Sequence, residues 1–202
     1  PVSVVSGATP IERNSEHLFF KLGNFEKVLK DWHKAGHVQA EVANKLNEWF
    51  EAGLNDWDIS RDAPYFGFEI PDAEGKYFYV WLDALTNYVS ALGFGSTDET
   101  LYDQFWPASL HLVGKDILRF HCVYWPAFLM SAGLPLPETV FGHGWWLRDD
   151  AKMSKSLGNV VRPDYLVERF GTDALRYFLA REMTFGQDAS FSDQAFLERF
   201  NA

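Results

Sequence analysis

With 202 residues, 47% of them hydrophobic and 17% aromatic, the chain can bury the core of one large domain, and its eight tryptophans exceed what packing alone needs. Its 18 basic and 28 acidic side chains leave a net charge of −10, which argues against a protein that simply coats nucleic acid. No apolar run reaches the roughly 18 residues of a membrane span, and no signal-peptide pattern opens the chain.

The stretch from Val2 to Gly7 alternates like a short strand and ends in turn residues through Pro10. So abrupt a start, without an initiator methionine, reads as an internal piece of something longer. From Ser15 to Ala52 the pattern is helical: Phe19, Leu22, Phe25 and Leu29 recur at three- and four-residue spacing, as do Val42, Leu46, Trp49 and Phe50. Gly36 and Gly53 punctuate two helices there. Ile59 to Pro71 reads as extended chain, and Lys76 to Val80 as a strand feeding a helix near Leu82 to Leu92, ended by Gly93 and Gly95.

A strand-then-helix rhythm follows, the pattern of a parallel α/β sheet. Ser109 to Val113 is a buried strand, followed by Gly114-Lys115-Asp116 and a helix to about Ser131 in which Pro126 predicts a kink. Cys122, in that helix, is the only cysteine, so the chain has no intrachain disulfide and no cysteine-based zinc site. Thr139 to Leu147 is a further strand or hairpin arm. Pro163 to Phe170 and Asp173 to Arg181 read as helices separated by Gly171, with Thr172 as N-cap, and Ser192 begins a last helix.

Several clusters could carry chemistry. Lys152-Met153-Ser154-Lys155-Ser156 sets two lysines three apart among small residues, either a solvated turn or a mobile loop that brings positive charge to phosphate. Together with Arg162, Arg169, Arg176 and Arg181, these lysines are the basic patches through which any RNA contact would run. Gly114-Lys115-Asp116 sits where a strand meets a helix, at the end of a sheet where ligands bind. Asp116 could accept from ribose hydroxyls or cap the next helix. His121 shares a helix face with Ile117, Tyr124, Trp125 and Phe128, as a core histidine or a functional one. Trp81, Leu85 and Tyr88, with Ala84 beside them, form a stripe that is either core or the wall of a small pocket suited to a thioether. Gly142-His143-Gly144 is either a bulge or a place where a flat ligand lies against backbone.

In order along the chain, Trp57 to Pro71, Tyr79 to Ala84, Gly114 to His121, Trp125-Pro126-Ala127, His143-Gly144 and Lys152 to Ser156 resemble the methionyl-tRNA synthetase family of class I aminoacyl-tRNA synthetases. Leucyl, isoleucyl and valyl synthetases are similar at the lysine loop but differ around Gly114-Lys115-Asp116 and Phe120-His121. The resemblance implies an α/β fold, the second half of a Rossmann-like parallel sheet with flanking helices. It divides the chain into the end of a connective insertion (1–56), the second nucleotide-binding half (57–147) and the loop with a helical stem-contact-like region (148–202). It gives Lys152 and Lys155 a catalytic role on the pyrophosphate leaving group. Glu69, Gly114, Asp116, His143, Gly144, Met153, Ser154 and Ser156 would hold ATP or the adenylate, and Arg61, Trp81, Ala84, Leu85, Tyr88 and His121 would hold methionine. Family members often carry proline where Leu85 stands. ATP and Mg2+ are the implied cofactors, initiator and elongator methionine tRNAs the implied partners, and the cytoplasm the implied setting. The family's zinc knuckle and H-x-G-H signature would lie upstream, and no H-x-G-H occurs here, so the chain alone is expected to be inactive. A non-catalytic scaffold or tRNA-binding piece is the reading from another class.

Overall fold

The computed structural model describes residues 2–3, 6–12, 14–148 and 150–202, which divide into two units: Pro1–Val28 with Trp49–Phe105, and Leu29–Glu48 with Trp106–Ala202. Val4 and Val5, at the heart of the expected first strand, lie outside the described residues. Ser3 N–H donates to Ala8 O and Gly7 N–H to Ser3 O.

The expected helix from Ser15 starts later. Phe19–Phe20 forms strand β1, and α1 (Glu26–Trp32) and α2 (Ala40–Glu51) follow, separated by a π-helical turn at His33–His37 that closes at Gly36. The reason is tertiary: β1 pairs antiparallel with β2 (Trp57–Asp58), while Leu18 N–H donates to Ser60 Oγ and Ile59 N–H to Leu18 O. Backbone pairing with a distant segment overrides local periodicity. Next, β3 (Ser60–Asp62) pairs antiparallel with β4 (Lys76–Phe78), which feeds α3 (Val80–Ser90) as the sequence predicts; α4 (Thr100–Phe105) ends the unit.

In the second unit β5 (His111–Gly114) runs parallel to β6, which spans Val140–His143, and Val38 bridges β6 in parallel on its other side. The crossover between β5 and β6 starts helical, with a short 3-10 turn at Lys115–Ile117, a π-helical turn at Phe120–Tyr124 and α5 (Trp125–Ser131), and returns to β6 through irregular chain at 132–139. This is the α/β arrangement expected, a parallel pair joined by a helical crossover.

Pro126, where the sequence predicts a kink, sits in the first turn of α5, directly after the π-helical turn. The Cys122 carbonyl, four residues before Pro126, instead accepts a hydrogen bond from His33 Nε2 at 2.7 Å. A buried carbonyl deprived of its helical donor is thereby satisfied.

The chain then builds a mixed three-stranded sheet with β7 (Trp146–Arg148) in the middle, β8 (Ala151–Lys152) antiparallel on one side and β9 (Ala189–Phe191) parallel on the other. The expected single strand to Leu147 is thus two, broken at Gly144-Trp145. Helices α6 (Pro163–Phe170), α7 (Thr172–Glu182) and α8 (Asp193–Asn201) pack around a cluster of Leu166, Phe178, Phe191 and Phe196. Thr172 is the first residue of α7 and not its cap; Gly171, at φ 86°, takes the cap position. Ser192 caps α8, its Oγ accepting from Ala195 N–H at 3.1 Å.

Candidate active site

The parallel register sets Gly114 of β5 beside His143 of β6, both at the carboxyl ends of their strands, where open α/β sheets bind ligands. Asp116 follows two residues on. It is not a helix cap: Gly114 occupies the cap position of the Lys115–Ile117 turn, without a side-chain cap bond. A Cβ on Gly114 would come within 2.8 Å of Asp116 Oδ1, so a residue with no side chain keeps that carboxylate in place. Burial alone would raise the Asp116 carboxyl, but the neighbouring Trp145 indole and Lys152 ammonium hold it below the usual carboxylate range. His143 Nδ1 lies 2.8 Å from Gly144 O, which fixes the proton on Nδ1, since a carbonyl can only accept.

The glycines flanking His143 serve protein packing. A Cβ on Gly142 would strike the Leu118 side chain at 2.7 Å, and one on Gly144 would fall 2.2 Å from the Gln187 backbone. Segment 187–188 therefore lies directly against the turn, and Asp188 uses that proximity. Its Oδ1 accepts from Trp145 N–H at 2.7 Å and its Oδ2 pairs with Lys115 Nζ at 2.6 Å. Lys115 and the Trp145 backbone N–H together hold the Asp188 carboxyl below its usual range. The Trp145 ring thus has two cations over it: Lys115 Nζ lies 4.2 Å from its centroid and Lys152 Nζ 4.0 Å. Lys152 also pairs with Asp116 Oδ2 at 3.3 Å.

The loop after Lys152 has its own internal order. Asn159 closes it, with Oδ1 accepting from Ser154 N–H at 2.8 Å and Nδ2 donating to Lys152 O at 3.3 Å. The Ser154 and Ser156 hydroxyls are 2.7 Å apart. Met153 packs against the cluster of Leu166, Phe178, Phe191 and Phe196. That packing anchors the loop at the residue for which the resemblance implies a nucleotide contact. Lys155 is exposed and forms no ion pair among the described residues. The loop holds Met153 inward and leaves Lys155 and Leu157 exposed, while Lys152 stays with Asp116 and Trp145.

The residues expected around methionine are divided between the two units. In the first, Trp81, Ala84, Leu85 and Tyr88 share one face of α3, as their spacing requires, but Leu85 is fully buried and Ala84 exposed. Burial raises the Tyr88 hydroxyl, so it stays a proton donor at neutral pH. Arg61 is tied to Asp58 at 3.2 Å and lies over the Tyr79 ring at 4.0 Å. Glu69 accepts from Gly75 N–H at 2.9 Å and so closes the turn of the β3–β4 hairpin. In the second unit His121 is buried, with Nδ1 donating to Ile117 O at 3.0 Å. Burial lowers its pKa, which leaves a neutral ring with its lone pair on Nε2. Behind it His111 accepts from Trp125 Nε1 at 3.3 Å and faces the His121 ring at 6.0 Å.

Sequence reasoning missed Trp145, Lys115, Asp188 and Asn159. Only Asn159 had a local signal, as a turn residue ending the loop.

The site thus combines a parallel strand pair, an aspartate beyond its strand ends and a two-lysine loop that reaches that aspartate. The family model for tRNA synthetases class I (M) matches residues 1–202, and the chain belongs to that family. It is 50% identical over 190 residues to the methionine–tRNA ligase of Thiobacillus denitrificans, an alignment covering 91% of this chain and 28% of that protein. Among solved structures it is similar to Mycobacterium tuberculosis methionyl-tRNA synthetase bound by methionyl-adenylate, at 43% identity and a TM-score of 0.88, over 100% of this chain and 40% of that one. The apo form of the same enzyme gives 40% identity and a TM-score of 0.83, over 100% and 39%. The chain thus spans well under half the length of these relatives.

Proposed function

We propose that the chain supplies the second half of the catalytic domain of a methionine–tRNA ligase. In that reaction the carboxylate oxygen of methionine attacks the α-phosphorus of ATP, pyrophosphate leaves, and the methionyl group passes to the 3′ end of initiator or elongator methionine tRNA as AMP departs. The observation that carries this reading is the pairing of Asp116 with Lys152 at the strand ends, a ribose acceptor within reach of a phosphate-binding lysine. Similarity to a synthetase bound by methionyl-adenylate supports it.

In this reading Asp116 accepts from the ribose, and Glu69, Gly114, His143, Gly144, Ser154 and Ser156 line the path of the nucleotide. Met153 contributes as the anchor that holds the loop. Lys152 and Lys155 meet the charge that builds on pyrophosphate, so catalysis is positioning plus electrostatic stabilisation. Methionine is held by Arg61, Trp81, Ala84, Leu85, Tyr88 and His121, with the Tyr88 hydroxyl available as a donor. Among the described residues no group of three His, Cys, Asp or Glu side chains is arranged to hold a metal. Mg2+ would therefore arrive on the triphosphate, with phosphate oxygens and water as its main ligands. Residues 1–56 would close the connective insertion, 57–147 form the second nucleotide-binding half and 148–202 carry the loop and the region that follows. A cytoplasmic setting fits the buried free thiol of Cys122 and the lack of any membrane-length apolar helix among the described residues.

The test is pyrophosphate exchange in the full-length enzyme. Methionine should stimulate it far above leucine, isoleucine or valine, and Lys155→Ala should slow adenylate formation on the order of 10²-fold while methionine affinity stays within about twofold. Exchange stimulated equally by another amino acid, or a Lys155→Ala rate equal to wild type, overturns the assignment. Binding of tRNA without any exchange would favour a scaffold role.

A further inference from the structure

Resting on the reading above, we propose that Trp145 is a positioning residue for adenylate formation, a neutral seat that holds the Lys152 ammonium at the mouth of the site without cancelling its charge. Lys152 has two partners here, the Asp116 carboxylate at 3.3 Å and the Trp145 ring at 4.0 Å, and they act differently on a phosphate-binding cation. A carboxylate neutralises the charge it binds. A ring face attracts the cation through its quadrupole and leaves the full positive charge for a third party. When ribose hydroxyls take Asp116, Lys152 loses its anionic partner and keeps the indole. The ammonium then stays beside the nucleotide with its charge available, while its flexible stem would otherwise let it wander.

The seat is built from several elements. Asp188 grips the Trp145 backbone N–H at 2.7 Å and Lys115 at 2.6 Å, and Lys115 Nζ in turn lies 4.2 Å from the ring centroid. Gly144 lets the 187–188 backbone come close enough for this, since any Cβ there would collide with it. The break before β7 completes the device: Trp146, the first residue of the strand, packs on the aromatic cluster while Trp145, just outside it, serves the lysines. A ring fixed through its own backbone N–H, with two ammonium groups within 4.2 Å of its centroid, is arranged to orient charge more than to fill space.

The experiment replaces Trp145 in the full-length enzyme with tryptophans carrying one to four ring fluorines, which weaken the quadrupole while barely changing shape, so the fold is kept. Single-turnover adenylate formation should fall in graded steps, to a total loss of about two- to fivefold, with methionine KM unchanged. In a Lys152→Ala background the same series should be flat, and Trp145→Phe should retain more of the rate than Trp145→Leu. A flat response in the wild-type background, or an equal decline in the Lys152→Ala background, overturns the inference. Should Lys152→Ala itself leave adenylate formation unchanged, the functional reading of the loop fails, whatever the fluorine series gives.

Discussion

Trp145 and Trp146 are neighbours in sequence with opposite duties, and the same contrast runs through the loop, where Met153 goes inward and Lys152 outward. The loop's shape rests on Asn159, whose amide bonds both the Ser154 N–H and the Lys152 carbonyl. Replacing it with alanine removes both bonds at once. Asn159→Ala should lower kcat for pyrophosphate exchange by about tenfold, with methionine KM unchanged, if each lost bond is worth about 0.5–1.5 kcal/mol of loop order. Hydrogen exchange provides the structural check: the Ser154 amide should lose its protection while α6 keeps its own. At this scale the sequence revealed the lysines, because five informative residues stand in a row. It did not reveal their partners, since Lys152 reaches back 36 residues to Asp116 and Lys115 reaches forward 73 to Asp188. Pairings that long have no periodicity to betray them.

The elements divide in the same way. Helix α6 begins and ends where its apolar spacing and flanking Pro163 and Gly171 predict, because those signals are local. The periodicity around strand β1 predicts helix instead, because the strand's identity depends on pairing with Trp57-Asp58. The π turn before α5 was likewise invisible; a proline reads as a kink until the fold supplies His33 to take up the Cys122 carbonyl. The aromatic cluster joins the helices to the loop. Phe178 touches the rings of Trp146, Phe191 and Phe196, with centroids 5.2 to 5.7 Å away, and is 1% exposed. Phe178→Ala should cost about 3–5 kcal/mol, read as a lower urea midpoint with an unchanged slope. Because Met153 packs on the same cluster, the variant should also expose the 152–158 segment to protease under native conditions, whereas a surface change such as Arg176→Ala should not.

Across the whole molecule, buried histidines set an acid limit. Burial, with the charge of His121 adding to it, lowers His111 from 6.5 to about 4. Burial lowers His33 and His121 as well. Between pH 6.5 and about 4 the unfolded chain therefore binds protons that the folded chain refuses. Stability should fall as pH drops through that window, by up to about 1.4 kcal/mol per pH unit for His111, with His33 and His121 acting in the same direction, and should be flat in this respect above it. His111→Asn should reduce the slope of urea stability between pH 6 and 4.5, whatever it costs at pH 7. An unchanged slope would mean that His111 accepts a proton in the folded state.

The chain's two central parallel strands end in a side chain. Gln39 lies next to the Val38 bridge and places its amide against the Gly142 peptide, with Oε1 accepting from Gly142 N–H at 2.7 Å and Nε2 donating to Gly142 O at 3.0 Å. One glutamine thus imitates the backbone of a third strand for a single residue. At that residue the open flank of β6 has no donor or acceptor left to offer a stray extended peptide, so the strand that ends in His143 is stoppered against accidental pairing.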